Sequence, residues 1–292
     1  MRRLTACVVT AAGLLVPTSP VSAQESGGVA VDANVTYRTV DGEQLTADVY
    51  VPAGDGEDRP AVLVVHGGGW QKGDRGNFAR EGTQLAEAGF VAVSVNYRLA
   101  PEHTYPAAVE DVQAAVKWLR KKPQREAYGI DPDHIGALGG SAGGHLVGML
   151  GTLGDGSLEK GPRVAAVVSW SGPMDLTSVA ELVDAGTPPS NGAIPTFLGC
   201  TPGDCPAERA EEASPFTHAD ESDPPMLLAN SEAELVPLTL VQPLVDALDA
   251  AGVENELLVL PGSRHSRQFS ADVMDDTIAF FHDHLVKVDG GD

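Results

Sequence analysis

The chain has 292 residues, 41 acidic against 19 basic, and a formal net charge of −22 at pH 7. Such an excess of negative charge repels a polyanion, so nucleic acid is excluded as an expected partner. The length suits one large α/β domain, since sheets of that class run past roughly two hundred residues undivided.

In chain order, Met1-Arg2-Arg3 leads into a mostly apolar run over residues 4–16, then Val21-Ser22-Ala23, small residues of the kind that precede a signal-peptidase cut. Residues 1–23 read as a cleaved signal peptide, which predicts a secreted protein. The run is interrupted by Thr10 and Gly13 and is too short to serve as a stable membrane anchor. Residues 24–33 are small and polar and read as a loose leader, so order is expected from Asn34, with residues 34–288 forming a single domain.

Residues 35–40 and 45–51 are β-rich runs flanking Asp41-Gly42-Glu43-Gln44, the pattern of an antiparallel hairpin. Residues 61–65 and 91–95 are short, almost wholly apolar runs, as in strands covered on both faces. Helical spacing of apolar residues marks 77–88 and 106–120. Further strands are predicted over 135–138, 164–170, 226–230 and 256–260, and helices over 238–250 and 271–285. A leading hairpin followed by alternating strands and helices predicts an α/β fold: a mostly parallel sheet with helices on both faces. Residues 172–225 break this rhythm, being rich in Gly, Pro, Ser and acids, and read as an excursion contributing to a substrate cleft or a small lid. Within it, Cys200 and Cys205 flank Thr-Pro-Gly-Asp, a spacer that lets the chain turn back, and export would oxidise them to a disulfide. No other Cys or His stands near this pair, so no metal site is expected there.

Two glycine-rich segments carry the chemistry. Gly139-Gly140-Ser141-Ala142-Gly143-Gly144-His145 joins a predicted strand to the apolar helical run 146–150. A serine at a sharp strand-to-helix turn is lifted clear of its neighbours, as a nucleophile requires, and the Ala142 amide then faces a bound acyl oxygen. The competing phosphate-loop reading lacks a suitably placed Lys. His66-Gly67-Gly68-Gly69-Trp70 follows the first buried strand, and the Gly68 and Gly69 amides are candidate donors to an oxyanion. After the last predicted strand comes His265, placed to act as general base. Of the other histidines, His282 and His284 fall in a helix, His145 sits one turn past the serine in a structural position, and His103, His134 and His218 fall in polar loops.

These two segments, with Asn96-Tyr97-Arg98-Leu99-Ala100-Pro101-Glu102 and Asp131-Pro132-Asp133-His134-Ile135, resemble the hormone-sensitive-lipase-like and feruloyl-esterase-like members of the α/β-hydrolase superfamily. The resemblance spans most of the chain after the leader. It implies an eight-stranded α/β-hydrolase sheet, a Ser, acid, His triad in that chain order, and hydrolysis of short-chain or carbohydrate-linked (acetyl or feruloyl) esters without a cofactor. Such relatives carry Asp three residues before a Val-Pro pair, a place held here by Ala233. The acid is therefore expected to be Glu234, with Glu232 the alternative, since a longer side chain offsets a one-residue shift. His66, Trp70 and Met174 are candidate pocket residues. Two rival readings stay open: a peptidase of the same fold, for which the chain has no room for a propeller or large cap, and a binding protein whose triad has degenerated.

Overall fold

The computed structural model describes residues 28–178, 192–201 and 204–286. The expected signal peptide lies outside these residues, as does the part of the excursion over 179–191. Eight strands form one sheet in the order β1-β2-β4-β3-β5-β6-β7-β8: β1 Ala30–Val40, β2 Glu43–Val51, β3 Arg59–Val65, β4 Val91–Val95, β5 Ile130–Gly140, β6 Ala166–Trp170, β7 Met226–Ser231 and β8 Asn255–Leu260. The β1–β2 and β2–β4 pairings are antiparallel and the other five parallel.

Alternation along the central strands explains their unbroken apolar runs. On β3, Ala61, Leu63 and Val65 enter one core while Val62 and Val64 enter the other. The first core is closed by α2 Ala107–Leu119, α4 Ala142–Thr152 and α7 Gln242–Ala251, and the second by α1 Ala79–Glu87 and α8 Ser270–Leu285. Both faces of the sheet are thereby removed from water, the usual condition of a parallel sheet. Among the described residues no helix is long and apolar enough to cross a membrane.

The structure corrects the expected boundaries in several places. Order begins before Asn34: Ala30 and Val31 pair with Val51 and Tyr50, and Val29 is buried against the second core. Strand β5 starts at Ile130, which places His134 within the strand instead of a loop, its Nδ1–H donating to Asp131 at 2.9 Å. Helix α3, Lys122–Tyr128, was not expected; it buries none of its residues and so has no apolar periodicity to announce it. The described part of the excursion holds α5 Ala193–Leu198 and α6 Ala207–Glu212, between which a disulfide joins Cys200 and Cys205 with Cα atoms 5.1 Å apart. Closing so short a loop contributes about 2 kcal/mol at most.

A buried ion cluster ties β1 and α2 to the segment after β4. The Asp111 carboxylate, wholly buried on α2, accepts from the Arg98 main-chain N–H and Nε–H, each at 2.9 Å, and pairs with Arg38 on β1. Arg98 also donates to the Ala107 carbonyl and to Glu110, both at 3.1 Å. Removing one partner of a buried pair strands the other charge, so Arg98→Met is expected to cost about 3 kcal/mol. A lowered urea midpoint at unchanged slope is the expected result; an unchanged midpoint would show that Arg38 alone satisfies Asp111.

Candidate active site

The parallel strands carry their C-terminal ends to one edge of the sheet, and the candidate residues gather there. Strand β5 ends at Gly140 and α4 begins at Ala142, so Ser141 turns the chain by itself with φ 56° and ψ −121°. That conformation costs a residue with a Cβ about 1–3 kcal/mol. Two hydrogen bonds hold it: the Ser141 N–H donates to the Trp170 carbonyl at 2.7 Å, and its carbonyl accepts from His145 N–H at 3.0 Å. The helix start is pressed so closely on β3 that a Cβ on Gly143 would lie 2.1 Å from the Val65 carbonyl oxygen. Ala142, the first residue of α4, has an amide with no acceptor in its own helix.

His265 lies past β8 and opens the short 3₁₀ turn Ser266–Phe269. Its Nε2 is 2.9 Å from Ser141 Oγ, and its Nδ1–H donates to Glu234 Oε2. The Glu234 side chain is fully buried. Its other oxygen accepts from the Ser231 main-chain N–H and from Ser171 Oγ–H, each at 2.8 Å. Ser171 Oγ in turn accepts from the Ser266 N–H at 2.8 Å, while Ser231 Oγ–H donates to the Arg264 carbonyl at 2.6 Å. Ser141, His265 and Glu234 are thus brought together, and Glu232 is exposed and apart from His265. Ser171 and Ser231, which hold the Glu234 carboxylate, are contacts the sequence did not reveal. Each is one serine at the end of a buried strand, without a glycine pattern around it to attract attention.

The loop 66–70 leaves β3 and folds over the serine. Gly68 has φ +125°, and a Cβ there would fall 2.0 Å from the Lys72 carbonyl oxygen. The loop is pinned at both ends by the segment after β4: Tyr97 O–H donates to the His66 carbonyl at 2.9 Å, and Ala100 N–H to the Trp70 carbonyl at 2.8 Å. Gly68, Gly69 and Ser141 line one cleft of about 730 Å³, whose side-chain walls include Phe78, Leu235, Gln268, Arg267 and Lys72.

The three expected pocket residues are elsewhere. His66, Trp70 and Met174 are all buried, and none lines the cleft. The His66 ring stacks on Tyr97 with centroids 4.3 Å apart, and its Nδ1–H donates to the Gly67 carbonyl. Trp70 stacks on Phe197 at 4.6 Å and donates from Nε1 to His145 Nδ1. Met174 packs under Gly148 of α4, its N–H bonded to the Leu240 carbonyl. They support the site from beneath, since large apolar side chains beside a nucleophile helix gain more from the core than from a wet cleft. His145 is structural: its Nε2–H donates to the Ala213 carbonyl at 2.7 Å, leaving Nδ1 to accept from Trp70.

The fold and this site define an α/β hydrolase with a serine-centred triad: a strand-to-helix serine, a histidine after the last strand, and a carboxylate after β7. Comparison with known proteins agrees. The BD-FAE family model matches residues 47–248, and the chain belongs to that family. A probable carboxylic ester hydrolase of Mycobacterium tuberculosis, LipM, is 33% identical over 197 residues, covering 65% of this chain and 44% of that protein. Rabbit (Oryctolagus cuniculus) arylacetamide deacetylase is 38% identical over 122 residues, 39% of this chain and 30% of the relative. The chain spans less than half the length of either. Among solved structures, a truncated carbohydrate esterase from gut microbiota superposes with a TM-score of 0.73 at 28% identity, over 92% of this chain and 99% of that one.

Two predictions follow from these contacts. Ser171→Ala removes a hydrogen bond to a charged acceptor, worth about 1.5–3 kcal/mol. With the acid no longer fixed, kcat on any substrate is expected to fall about tenfold or more with KM little changed; native kcat would remove Ser171 from the positioning of Glu234. The second concerns His145, whose pKa burial lowers from 6.5 to about 4. Between those values the unfolded chain binds a proton that the folded chain refuses, so this contribution is complete above pH 6.5 and is lost as pH falls towards 4. In urea unfolding at pH 7 and pH 4.5, His145→Gln is expected to lose about 2 kcal/mol less on acidification than the native chain; equal losses would mean that His145 is not the group titrating.

Proposed function

We propose that the protein is a carboxylic ester hydrolase that works through an acyl-enzyme on Ser141. The observation that carries this reading is the continuous chain of contacts from Ser141 Oγ through the His265 ring to the buried Glu234 carboxylate. In it, His265 Nε2 accepts the serine proton as Oγ attacks the ester carbonyl, and Glu234 holds the tautomer and offsets the imidazolium charge. The amides of Gly68, Gly69 and Ala142 face the developing oxyanion, each donor contributing a few kcal/mol to the barrier. His265 then protonates the leaving alcohol, and a water activated by the same nitrogen hydrolyses the acyl-enzyme. No step calls on a cofactor.

The substrate class we favour is a short acyl ester, acetyl or feruloyl, of a carbohydrate. Support comes from the named activities of the deacetylase and carbohydrate esterase relatives, and from a cleft walled by Phe78 and Leu235 beside the serine. Residues 1–23 are read as a secretion signal, on their basic start, apolar run and small-residue end.

Purified Ser141→Ala is expected to keep the native circular-dichroism spectrum and lose p-nitrophenyl acetate hydrolysis by at least about a thousandfold. Only the native chain should be labelled by a fluorophosphonate. Retained turnover in the variant would end this reading, and a panel of acetyl, butyryl, feruloyl and long-chain esters ranks the acyl group.

A further inference from the structure

Acidic residues outnumber basic ones by 41 to 19 in the chain, yet among the described residues no carboxylate lines the cleft beside Ser141. Its two charged lining residues are Lys72 and Arg267. The contrast with a second cavity, of about 480 Å³ between β8 and α8, is informative. That one is lined by Glu254, Glu256, Asp276 and Asp283 and shares no residue with the cleft. Among the described residues, the two charged side chains that line the candidate catalytic opening are thus both cationic, on a strongly anionic protein.

Arg267 is held in place from behind. Its Nε–H donates to Glu81 Oε1 at 3.3 Å, Glu81 being a buried carboxylate on α1, and its guanidinium lies over the Phe78 ring, 5.3 Å from the centroid. Among the described residues its two terminal nitrogens have no hydrogen-bond partner, and Lys72 has no ion-pair partner. A guanidinium anchored through Nε presents its remaining N–H groups as a planar fork, the geometry that matches a carboxylate.

The position of this fork in the reaction follows from His265. The nitrogen that takes the Ser141 proton must later deliver one to the leaving alcohol, so the alcohol part of the ester lies against the His265 side of the cleft. Arg267 is two residues on, in the turn that His265 opens. We propose that Arg267, assisted by Lys72, selects esters whose alcohol part carries a carboxylate, such as an acidic sugar. This rests on the ester-hydrolase reading above and names its substrate class more closely.

The test is a matched pair, 4-acetoxybenzoate and methyl 4-acetoxybenzoate, each scored by release of acetate. On the alcohol side one carries a carboxylate and the other its neutral methyl ester, and comparing their ratio between variants cancels the difference in leaving group. Their kcat/KM ratio, acid over methyl ester, is compared in the native chain, in Lys72→Gln and in the double variant Glu81→Gln/Arg267→Gln, which avoids stranding a buried carboxylate. The ratio is expected to fall about threefold in Lys72→Gln and about fivefold in the double variant, and to fall with added salt in the native chain. A ratio equal in all three proteins, or native cleavage of the methyl ester alone, overturns the selection. If p-nitrophenyl acetate is cleaved and neither member of the pair is, the alcohol-side subsite is also refuted while the hydrolase reading stands. No turnover of any of the three esters sinks both.

Discussion

The architecture depends on one strained residue. Ser141 occupies a left-handed backbone conformation that a side chain resists, and nothing local to it offsets that cost. The offset comes from its setting: β5 delivers it, α4 continues from it, and Trp170 at the end of β6 accepts its amide. Helix α4 is buried along its whole length, and the small residues at its start let it sit against the end of β3. A less tightly packed helix would allow the turn to relax to an ordinary conformation and swing the hydroxyl away from the imidazole. Core packing of the sheet is thereby converted into the orientation of one oxygen atom.

A similar transfer of rigidity fixes the glycine loop opposite. Three consecutive glycines lose more backbone entropy on ordering than other residues do. They are held by their flanks, His66 and Trp70, whose carbonyls accept from Tyr97 and Ala100 and whose rings are locked in aromatic stacks. The Arg98–Asp111 pair then fixes the donor segment to α2. The Asn-Tyr-Arg-Leu-Ala-Pro motif therefore lines none of the cleft and acts through this indirect support, which holds the glycine loop that shares the cleft with Ser141.

What the sequence made legible was decided by periodicity and by glycine. Strands covered on both faces betray themselves as apolar runs, and the serine turn and the 66–70 loop as glycine clusters, so the sheet, the eight strands and the positions of Ser141 and His265 were readable. The edges were not. Ala30 and Val31 join β1 through main-chain pairing that side chains do not signal, and the exposed helix α3 has no apolar face. His66 and Trp70 flank the glycine loop and Met174 stands in the 172–225 excursion, which makes all three candidates for the pocket. Nearness along the chain does not say on which side of a loop a side chain falls, and their apolar area draws them into the core. Ser171 and Ser231 were invisible because their roles exist only once three separate loops converge.

The use of glutamate in place of a shorter acid explains why those two serines are needed. The carboxylate reaches His265 from a position one residue beyond the place an aspartate would hold, and the additional methylene covers that gap. It also adds a rotatable bond, so an unsupported glutamate would distribute its carboxylate over several rotamers and contact the imidazole only part of the time. Ser231 N–H and Ser171 Oγ–H both bind the oxygen that does not face His265, which selects one rotamer and directs the second oxygen at Nδ1. Burial completes the arrangement by removing water as a competing donor, and the same burial would make the charge costly without those two bonds. Because Ser171 also accepts from Ser266, the group that fixes the Glu234 carboxylate fixes the turn that carries His265, and carboxylate and imidazole are adjusted to each other by a single hydroxyl.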